Sequence, residues 1–270
     1  MALILKQKKY RFYYTTTKRI LKTIVGIKQK KRDKDLVVTS YGNSWPHIEN
    51  WIKKQSSERV FLLNGTHVVA TQLDYIKCKI KHVSAHIGSP ESLLELGSGN
   101  GFILLAQAAL HPEIKVVRGV DLTRSGVEVA KRLRDNPPVK EIGYVTNLRP
   151  EEVASRLKGR DIDFFQGDMT ALALKDNSFE CVFSQQAIEQ IPVSYPAAFR
   201  EAYRVTQKRA VFAEEFREAQ DIFQLLHLRG RDYFRASYKA VEEAGFTVAC
   251  VEPIELTKVI YGIAVVVAEK

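Results

Sequence analysis

The sequence predicts an α/β fold: a doubly wound, mostly parallel sheet of seven strands with helices on both faces and an antiparallel last strand. Three observations predict it. From about residue 75 to the C-terminus, short aliphatic runs of strand length alternate with helical stretches, the pattern of a parallel sheet covered on both sides. Within that region, Ser92–Asp121 reads as strand, glycine turn, helix and strand, and ends on an acid at the distance from the glycines at which a carboxylate meets a ribose. Finally, the last two strands are joined by only a short turn, and such a connection requires an antiparallel pair.

The elements follow in order. Leu93-Leu94-Glu95-Leu96 is a buried first strand, followed by Gly97, Gly99 and Gly101 and by an apolar helix to about Leu110. Glycine lets a ligand approach backbone that a Cβ would block, and the helix start behind it presents unpaired N–H groups. Val116–Val120 is the second strand. Thr123–Asn136 is a helix with Thr123 as N-cap, ended by Pro137 and Pro138. Residues 139–160 form an insert with a short helix, Pro150–Leu157, stopped by Gly159. Ile162–Asp168, Phe179–Gln186 and Arg209–Phe216 are strands three to five, with a helix at Tyr195–Val205. Asp232–Ala244 reads as helical and stops at Gly245. Thr247–Ile254 and Val259–Ala268 close the sheet.

Composition bounds the rest. The chain has 270 residues, 45% of them hydrophobic, enough for one large domain with an appendage. Cys78, Cys181 and Cys250 form no CxxC and read as reduced thiols. The longest apolar runs are too short to span a bilayer, and the N-terminus lacks the order of a secretory signal, so a cytoplasmic protein is expected. The net charge of +10 is uneven: residues 1–34 hold twelve of the 41 Lys and Arg but only one of the 31 acids. The body is therefore close to neutral, and the basicity belongs to an arm.

Three readings fit that arm. Its apolar residues Ile20, Leu21, Ile24, Val25 and Ile27 have helical spacing among cations, which suits packing over the main domain, an anionic membrane surface or nucleic acid. Residues 36–90 follow, with Tyr41, Trp45, His47 and Trp51 around a turn, a helix at 47–54 and another at Thr71–Ile80. These aromatics form either a substrate lid or an ordinary packing face. The expected division is a helical, basic and aromatic extension over residues 1–74 and a cofactor-binding domain over 75–270.

The glycine pattern excludes two phosphate-binding motifs. A dinucleotide fingerprint needs G-x-G-x-x-G, and a P-loop needs G-K-[ST] after its glycines; the chain reads Glu95-Leu-Gly97-Ser-Gly99-Asn-Gly101-Phe. E-x-G-x-G-x-G, followed by Val120-Asp121, Gln166-Gly167-Asp168-Met169, Asp176-Asn-Ser-Phe-Glu-Cys-Val-Phe-Ser184 and Ala244-Gly-Phe246, resembles the class I S-adenosylmethionine-dependent methyltransferases, most closely their small-molecule quinone and sterol branch. The resemblance covers roughly residues 75–270 and implies a Rossmann-like fold, S-adenosylmethionine as cofactor, S-adenosylhomocysteine as product and a small organic acceptor.

It also implies roles. Gly97, Ser98, Gly99 and Gly101 would admit the methionyl and ribose part, and Glu95 would link to the methionyl amine. Asp121, with Leu122 beside it, would accept the ribose hydroxyls. Asp168 and the Met169 N–H would meet the adenine, and Ser184 and Gln185 would flank the methionyl end. Where such enzymes often carry E-H-[IV]-P, the chain has Glu189-Gln190-Ile191-Pro192, so no histidine base stands there. Gln185, Gln186 and Gln190 remain as hydrogen-bonding candidates, and Gln186 and Glu189 are counted among the catalytic candidates. Glu214 ends strand five, at the sheet edge where ligands bind, and with Glu215 is a candidate base; His227 is a further candidate. Acceptors of RNA or protein docked by the arm, and a non-catalytic cofactor-binding partner, are the competing readings. Asn136-Pro137-Pro138 stands too early in the chain for the N-P-P-[YFW] box of nucleic-acid amino-methyltransferases. The six histidines show no zinc spacing, and no metal is expected.

Overall fold

The structure, a computed structural model, describes residues 32–42 and 55–270. Most of the basic arm, both tryptophans, His47 and the expected helix at 47–54 lie outside the described residues.

Seven strands form the central sheet: β3 (Ser92–Leu96), β4 (Val116–Asp121), β5 (Asp161–Gln166), β6 (Phe179–Gln185), β7 (Thr206–Glu214), β8 (Thr247–Pro253) and β10 (Ala264–Glu269). They run in the order β5-β4-β3-β6-β7-β10-β8, with β10 antiparallel to both neighbours and β3 to β7 parallel among themselves. The order reverses between β3, which pairs with β4, and β6, so the carboxyl ends of β3, β4 and β6 open a crevice at the switch point, the place where such sheets bind ligands.

Alternation along the strands builds two apolar layers. On β3, Leu93 joins one layer while Leu94 and Leu96 join the other; on β7, Val211 and Ala213 face the first, and Ala210 and Phe212 the second. The first layer is closed by α2 (Gln72–Ile87), α3 (Phe102–Leu110), α4 (Arg124–Asp135), α5 (Val139–Thr146) and α6 (Pro150–Leu157); the second is closed by α7 (Tyr195–Val205) and the short α9 (Lys239–Glu242). The helix ends follow local chemistry. Thr123 Oγ1 accepts the Gly126 N–H, and Thr71 and Asp74 form a reciprocal capping box at the start of α2.

Three elements depart from the sequence expectation. The section before α2 contains a helix, α1 (Lys34–Gly42), but residues 58–71 form a β-hairpin, β1 (Glu58–Leu63) and β2 (Thr66–Thr71), turning at Asn64-Gly65 with both residues at positive φ. The turn between the last two sheet strands holds an additional strand, β9 (Leu256–Lys258), which leaves the large sheet and pairs antiparallel with β1, making a second, three-stranded sheet, β2-β1-β9. Burial of Leu256 and Phe61 in the first core layer draws it there. The expected helix over Asp232–Ala244 is reduced to α9, and a helix instead occupies α8 (Ile222–Gly230). The aromatic packing of Phe234 against Tyr195 (5.0 Å), Phe216 (5.3 Å) and Phe199 (6.1 Å) holds residues 233–238 in an irregular path. No helix among the described residues is long and apolar enough to cross a membrane.

Candidate functional site

The crevice is a cavity of about 340 Å³ running from the glycine turn after β3, past the ends of β4, β5 and β6, to α2 and β9. Its shape begins with glycine geometry. Gly97 has φ +73° and Gly101 φ +78°, a region costly for other residues. A Cβ on Gly97 would collide with Ala187, and one on Gly101 would lie 2.7 Å from Phe164 and 2.8 Å from Ala130. The turn is thus both backbone-lined and tightly backed. The Gly97 and Ser98 N–H groups donate to the Val120 carbonyl at 2.8 and 2.9 Å, tying β3 to β4 beneath the cavity.

Acids stand around this turn. Asp121, at the end of β4, accepts the Gly99 N–H (2.9 Å) on one oxygen and the Thr123 N–H (2.8 Å) and hydroxyl (2.6 Å) on the other. These bonds fix the carboxylate in the cavity wall. Glu95 is buried, and its Oε2 has no hydrogen-bond partner among the described residues. Burial, then the charge of Asp121, pushes its carboxyl well above the usual range. Asp168, after β5, accepts the Thr170 N–H (2.9 Å) and hydroxyl (2.8 Å) and is ion-paired with Lys34 of α1. Burial opposes its ionisation, but the Lys34 ammonium and the Thr170 donors outweigh it and lower its pKa.

At the other end of the cavity lies a polar cluster that the sequence alone did not show. Gln186, immediately after β6, has φ +54°, an unusual conformation for a side-chain-bearing residue. Its N–H donates to the Ala213 carbonyl (3.0 Å). Its side-chain oxygen accepts from Lys79 and from the Tyr75 hydroxyl (3.3 Å), and its amide donates to Glu215 (2.9 Å) and to the Tyr261 oxygen (3.2 Å). Gln186 therefore joins α2, β7 and the β9–β10 connection. Lys258, at the end of β9, stands by the Tyr261 hydroxyl and over the rings of Tyr75 (5.3 Å) and Tyr261 (4.9 Å). Glu189 accepts from the Gln190 amide, and Gln190 in turn accepts from Arg32, whose guanidinium lies 4.2 Å over Tyr233.

Burial controls the charges here. It lowers Lys79 to about 7, with the neighbouring Lys258 adding to the shift and Glu215, Glu189 and Glu214 opposing it. Lys258 is lowered as well. Glu215 is raised well above the ordinary value by burial and then by Glu189, and Glu214 is raised to about 7, chiefly by burial.

The expected residues sort by position. Glu95, Gly97, Ser98, Gly99, Asp121, Leu122, Asp168, Met169, Gln185, Gln186 and Glu189 all line the cavity. Gly101, Ser184 and Glu214 do not. Ser184 donates to Glu214 (2.7 Å), which also accepts the Ala187 N–H (3.2 Å), so the pair braces the turn carrying Gln185–Ala187 from below. His227 is buried in α8 and does not line the cavity. Lys34, Gln72, Ile76, Lys79, Lys258 and Tyr261 were not anticipated. All of them reach the cavity from α1, α2 or the β9 region, where no motif marked them.

Comparison with known proteins bears on this geometry. Residues 94–213 match the family described as a methyltransferase domain. No curated protein sequence matches the chain. Among solved structures, the [4+2]-cyclase SpnF is similar with a TM-score of 0.62 and 14% identity over 90% of this chain and 97% of that one. An S-adenosylmethionine-dependent methyltransferase from Methanosarcina mazei has a TM-score of 0.53 and 15% identity over 71% and 96%. Another, from Mesorhizobium loti, has a TM-score of 0.52 and 15% identity over 73% and 100%. At these identities the structural likeness establishes the fold, a Rossmann-like sheet, and the family match adds the domain type.

Proposed function

We propose that the chain is a class I S-adenosylmethionine-dependent methyltransferase, in keeping with its methyltransferase-domain match, that its cavity holds that cofactor along the glycine turn and a small polar acceptor at the Gln186 cluster, and that it methylates an oxygen or nitrogen of that acceptor. The observation that carries the reading is the continuity of one cavity from the Gly97–Gly99 turn to Lys79, Gln186 and Lys258.

The residues suit the cofactor. A Cβ at Gly97 would fill the cradle, Glu95 has an orphaned buried oxygen, and no Lys or Arg stands on the turn itself, as befits a ligand without phosphate. Asp121 would accept the ribose hydroxyls with the lone pairs left by Gly99 and Thr123. Glu95 would meet the amino end of the methionyl group. Asp168 and the Met169 N–H would meet the adenine. When bound, the cofactor supplies a methyl group already activated as an electrophile, so the protein's work is alignment and exclusion of water.

The chain's own groups handle the acceptor. Gln186 holds Lys79, Tyr75, Glu215 and Tyr261 in one arrangement. With its pKa lowered to about 7, Lys79 carries a neutral amine in part of the population near neutrality, which suits it to take the proton that the acceptor's heteroatom loses as its bond to the methyl carbon forms. Lys258, Glu189 and the two tyrosines orient the acceptor's other polar groups. Glu214 acts on the turn that carries Gln186 rather than on the acceptor.

Calorimetry with S-adenosylhomocysteine tests the cofactor half: binding is expected, and Asp121→Ala weakens it at least tenfold, the loss of about one charge-assisted hydrogen bond. Unaltered affinity in that variant would overturn the assignment. The acceptor half is tested by measuring S-adenosylhomocysteine release across a panel of small alcohols, phenols and amines. Deleting residues 1–31, which leaves Arg32 and Lys34 in place, tells this reading from an RNA or protein acceptor docked by the basic arm. Turnover of a small acceptor that survives the deletion supports the small-molecule reading; release that occurs only with RNA or protein, and only with the arm present, refutes it.

A further inference from the structure

Helix α2 carries two stripes. Gln72, Ile76 and Lys79 face the cavity, whereas Cys78, His82 and His86, spaced i, i+4 and i+8, lie along the side that meets the end of β8 and the start of β9. There Glu252 and Glu255 converge on them. We propose that Cys78, His82 and Glu255 bind a zinc-class divalent cation that clips α2 to the β8–β9 connection.

The geometry fits coordination. One ligand atom from each of the three, the Cys78 sulfur, a His82 ring nitrogen and a Glu255 oxygen, lies within 4.8 Å of the others. A tetrahedral zinc at ~2.0 Å from N and O and ~2.3 Å from S sets its ligands ~3.3 to 3.8 Å apart, so small rotamer shifts close the site. Thiolate, imidazole and carboxylate together suit this borderline-soft ion better than magnesium or calcium.

The surroundings fit as well. His82 Nδ1 lies 2.8 Å from Glu252 Oε1, leaving Nε2, now against Glu255, to face the ion. A carboxylate on the far nitrogen of a metal-binding histidine fixes the ring's orientation and tautomer. Glu252 is held in turn by His86 Nε2 at 3.1 Å. A surface groove of about 490 Å³ includes both Cys78 and Glu255 in its lining and gives an ion a path in, with water able to take the fourth position. Lys81 is 3.6 Å from Glu255 and has an exposed side chain able to swing away.

The site would have a structural use. Glu255 precedes β9, which carries Lys258 into the cavity and pairs with β1. A clip between α2 and this connection would hold Lys79 and Lys258, one from each side, in fixed register. The competing occupant is a proton: His82 as an imidazolium between two glutamates.

Metal-stripped full-length protein, titrated with zinc against a chromophoric chelator and separately with cobalt, decides between them. One zinc per chain and a thiolate-to-cobalt charge-transfer band with tetrahedral d–d absorption are expected. Cys78→Ser should abolish the charge-transfer band, and Glu255→Gln should weaken zinc at least tenfold. Glu252→Gln should weaken it by about 10- to 100-fold, while His111→Ala, at a separate His–Glu pair with Glu113, should leave it unchanged. Circular dichroism confirms that each variant is folded. Folded wild-type protein that takes up no stoichiometric zinc overturns the proposal without recourse to any variant. So does zinc uptake indifferent to both Cys78→Ser and Glu255→Gln, or a His82 ring that remains doubly protonated by NMR with zinc present.

Discussion

Replacing Lys79 with methionine should stabilise the protein, and by an amount that depends on pH. Lys79 is a buried amine whose pKa falls from 10.5 to about 7 on folding. Between those values the unfolded chain holds a proton that the folded protein does not, so wild-type stability falls as pH drops from 10.5 towards 7 and is level below that. At about 1.4 kcal/mol per unit, the 3.5-unit difference amounts to about 5 kcal/mol near neutrality. Methionine has a similar volume and no charge to desolvate. It loses the hydrogen bond to Gln186 and the contact 4.5 Å over the Tyr75 ring, together worth about 2 kcal/mol. A net gain of about 3 kcal/mol at pH 7 remains, which should be gone by pH 9.5, where the lysine penalty has fallen to no more than the roughly 2 kcal/mol of lost contacts. Urea unfolding of both proteins at pH 7 and 9.5 measures the difference, and titrating groups remote from Lys79 cancel between them. A variant less stable than wild type at pH 7, or a gap that does not change with pH, would refute the view of Lys79 as a strained, partly neutral amine.

Turnover should report the same group: kcat/KM is expected to rise about tenfold per pH unit below 7 and level off above it, and a profile flat from pH 5.5 to 8.5 would remove Lys79 as the base. Gly101→Ala should cost about 2–4 kcal/mol, from the left-handed backbone and the collision with Phe164 and Ala130, lowering Tm by ~5–15 °C; a Tm within 2 °C of wild type, as roughly the size of a neutral surface change, would contradict that packing. Lys34→Ala should raise affinity for S-adenosylhomocysteine by up to about fivefold, the value of a half-exposed ion pair, by releasing Asp168; calorimetry showing weaker binding instead would make Lys34 part of the cofactor's own site.

The sheet was legible in the sequence because its central strands β3 and β6 are largely buried on both faces and read as apolar runs, as in Leu93-Leu94 or Val182-Phe183. The glycine end of the cavity was legible for a related reason: the turn and Asp121 belong to one strand–turn–helix–strand unit, and local spacing records them. Residues 58–71 carry one local signal for their hairpin, Asn64-Gly65 between two short strand-forming runs. Strand β9 is three residues long and exists because β1 pairs with it, a tertiary cause that no local pattern contains. Asp232–Ala244 has the composition of a helix, but the burial of Phe234 among Tyr195, Phe199 and Phe216 overrides that propensity.

The parts that escaped local reading are also the parts that line the end of the cavity proposed for the acceptor, and the fold gives a reason. Every methyltransferase of this architecture must present the same glycine turn and acids to one cofactor, so those residues sit on the sheet's own carboxyl edge, where backbone geometry positions them. An acceptor makes no such common demand. That half of the cavity is assembled from elements added around the sheet: Lys79 from α2, Lys258 from β9 and Tyr261 from the return to β10. Those elements are tied to one another as well as to the central sheet. Helix α2 follows directly from the β1–β2 hairpin, β1 pairs with β9, and Gln186 ties α2 to Tyr261 and to Glu215 at the end of β7. Changes that loosen the small sheet should therefore raise KM for the acceptor while leaving S-adenosylhomocysteine affinity nearly intact. Gly65→Val provides the test: its φ of +78° is unfavourable for a β-branched residue, yet no atom lies within 4 Å of the added Cβ, so the strain falls on the hairpin alone. Equal losses in both constants would show that the two halves of the cavity are one rigid unit.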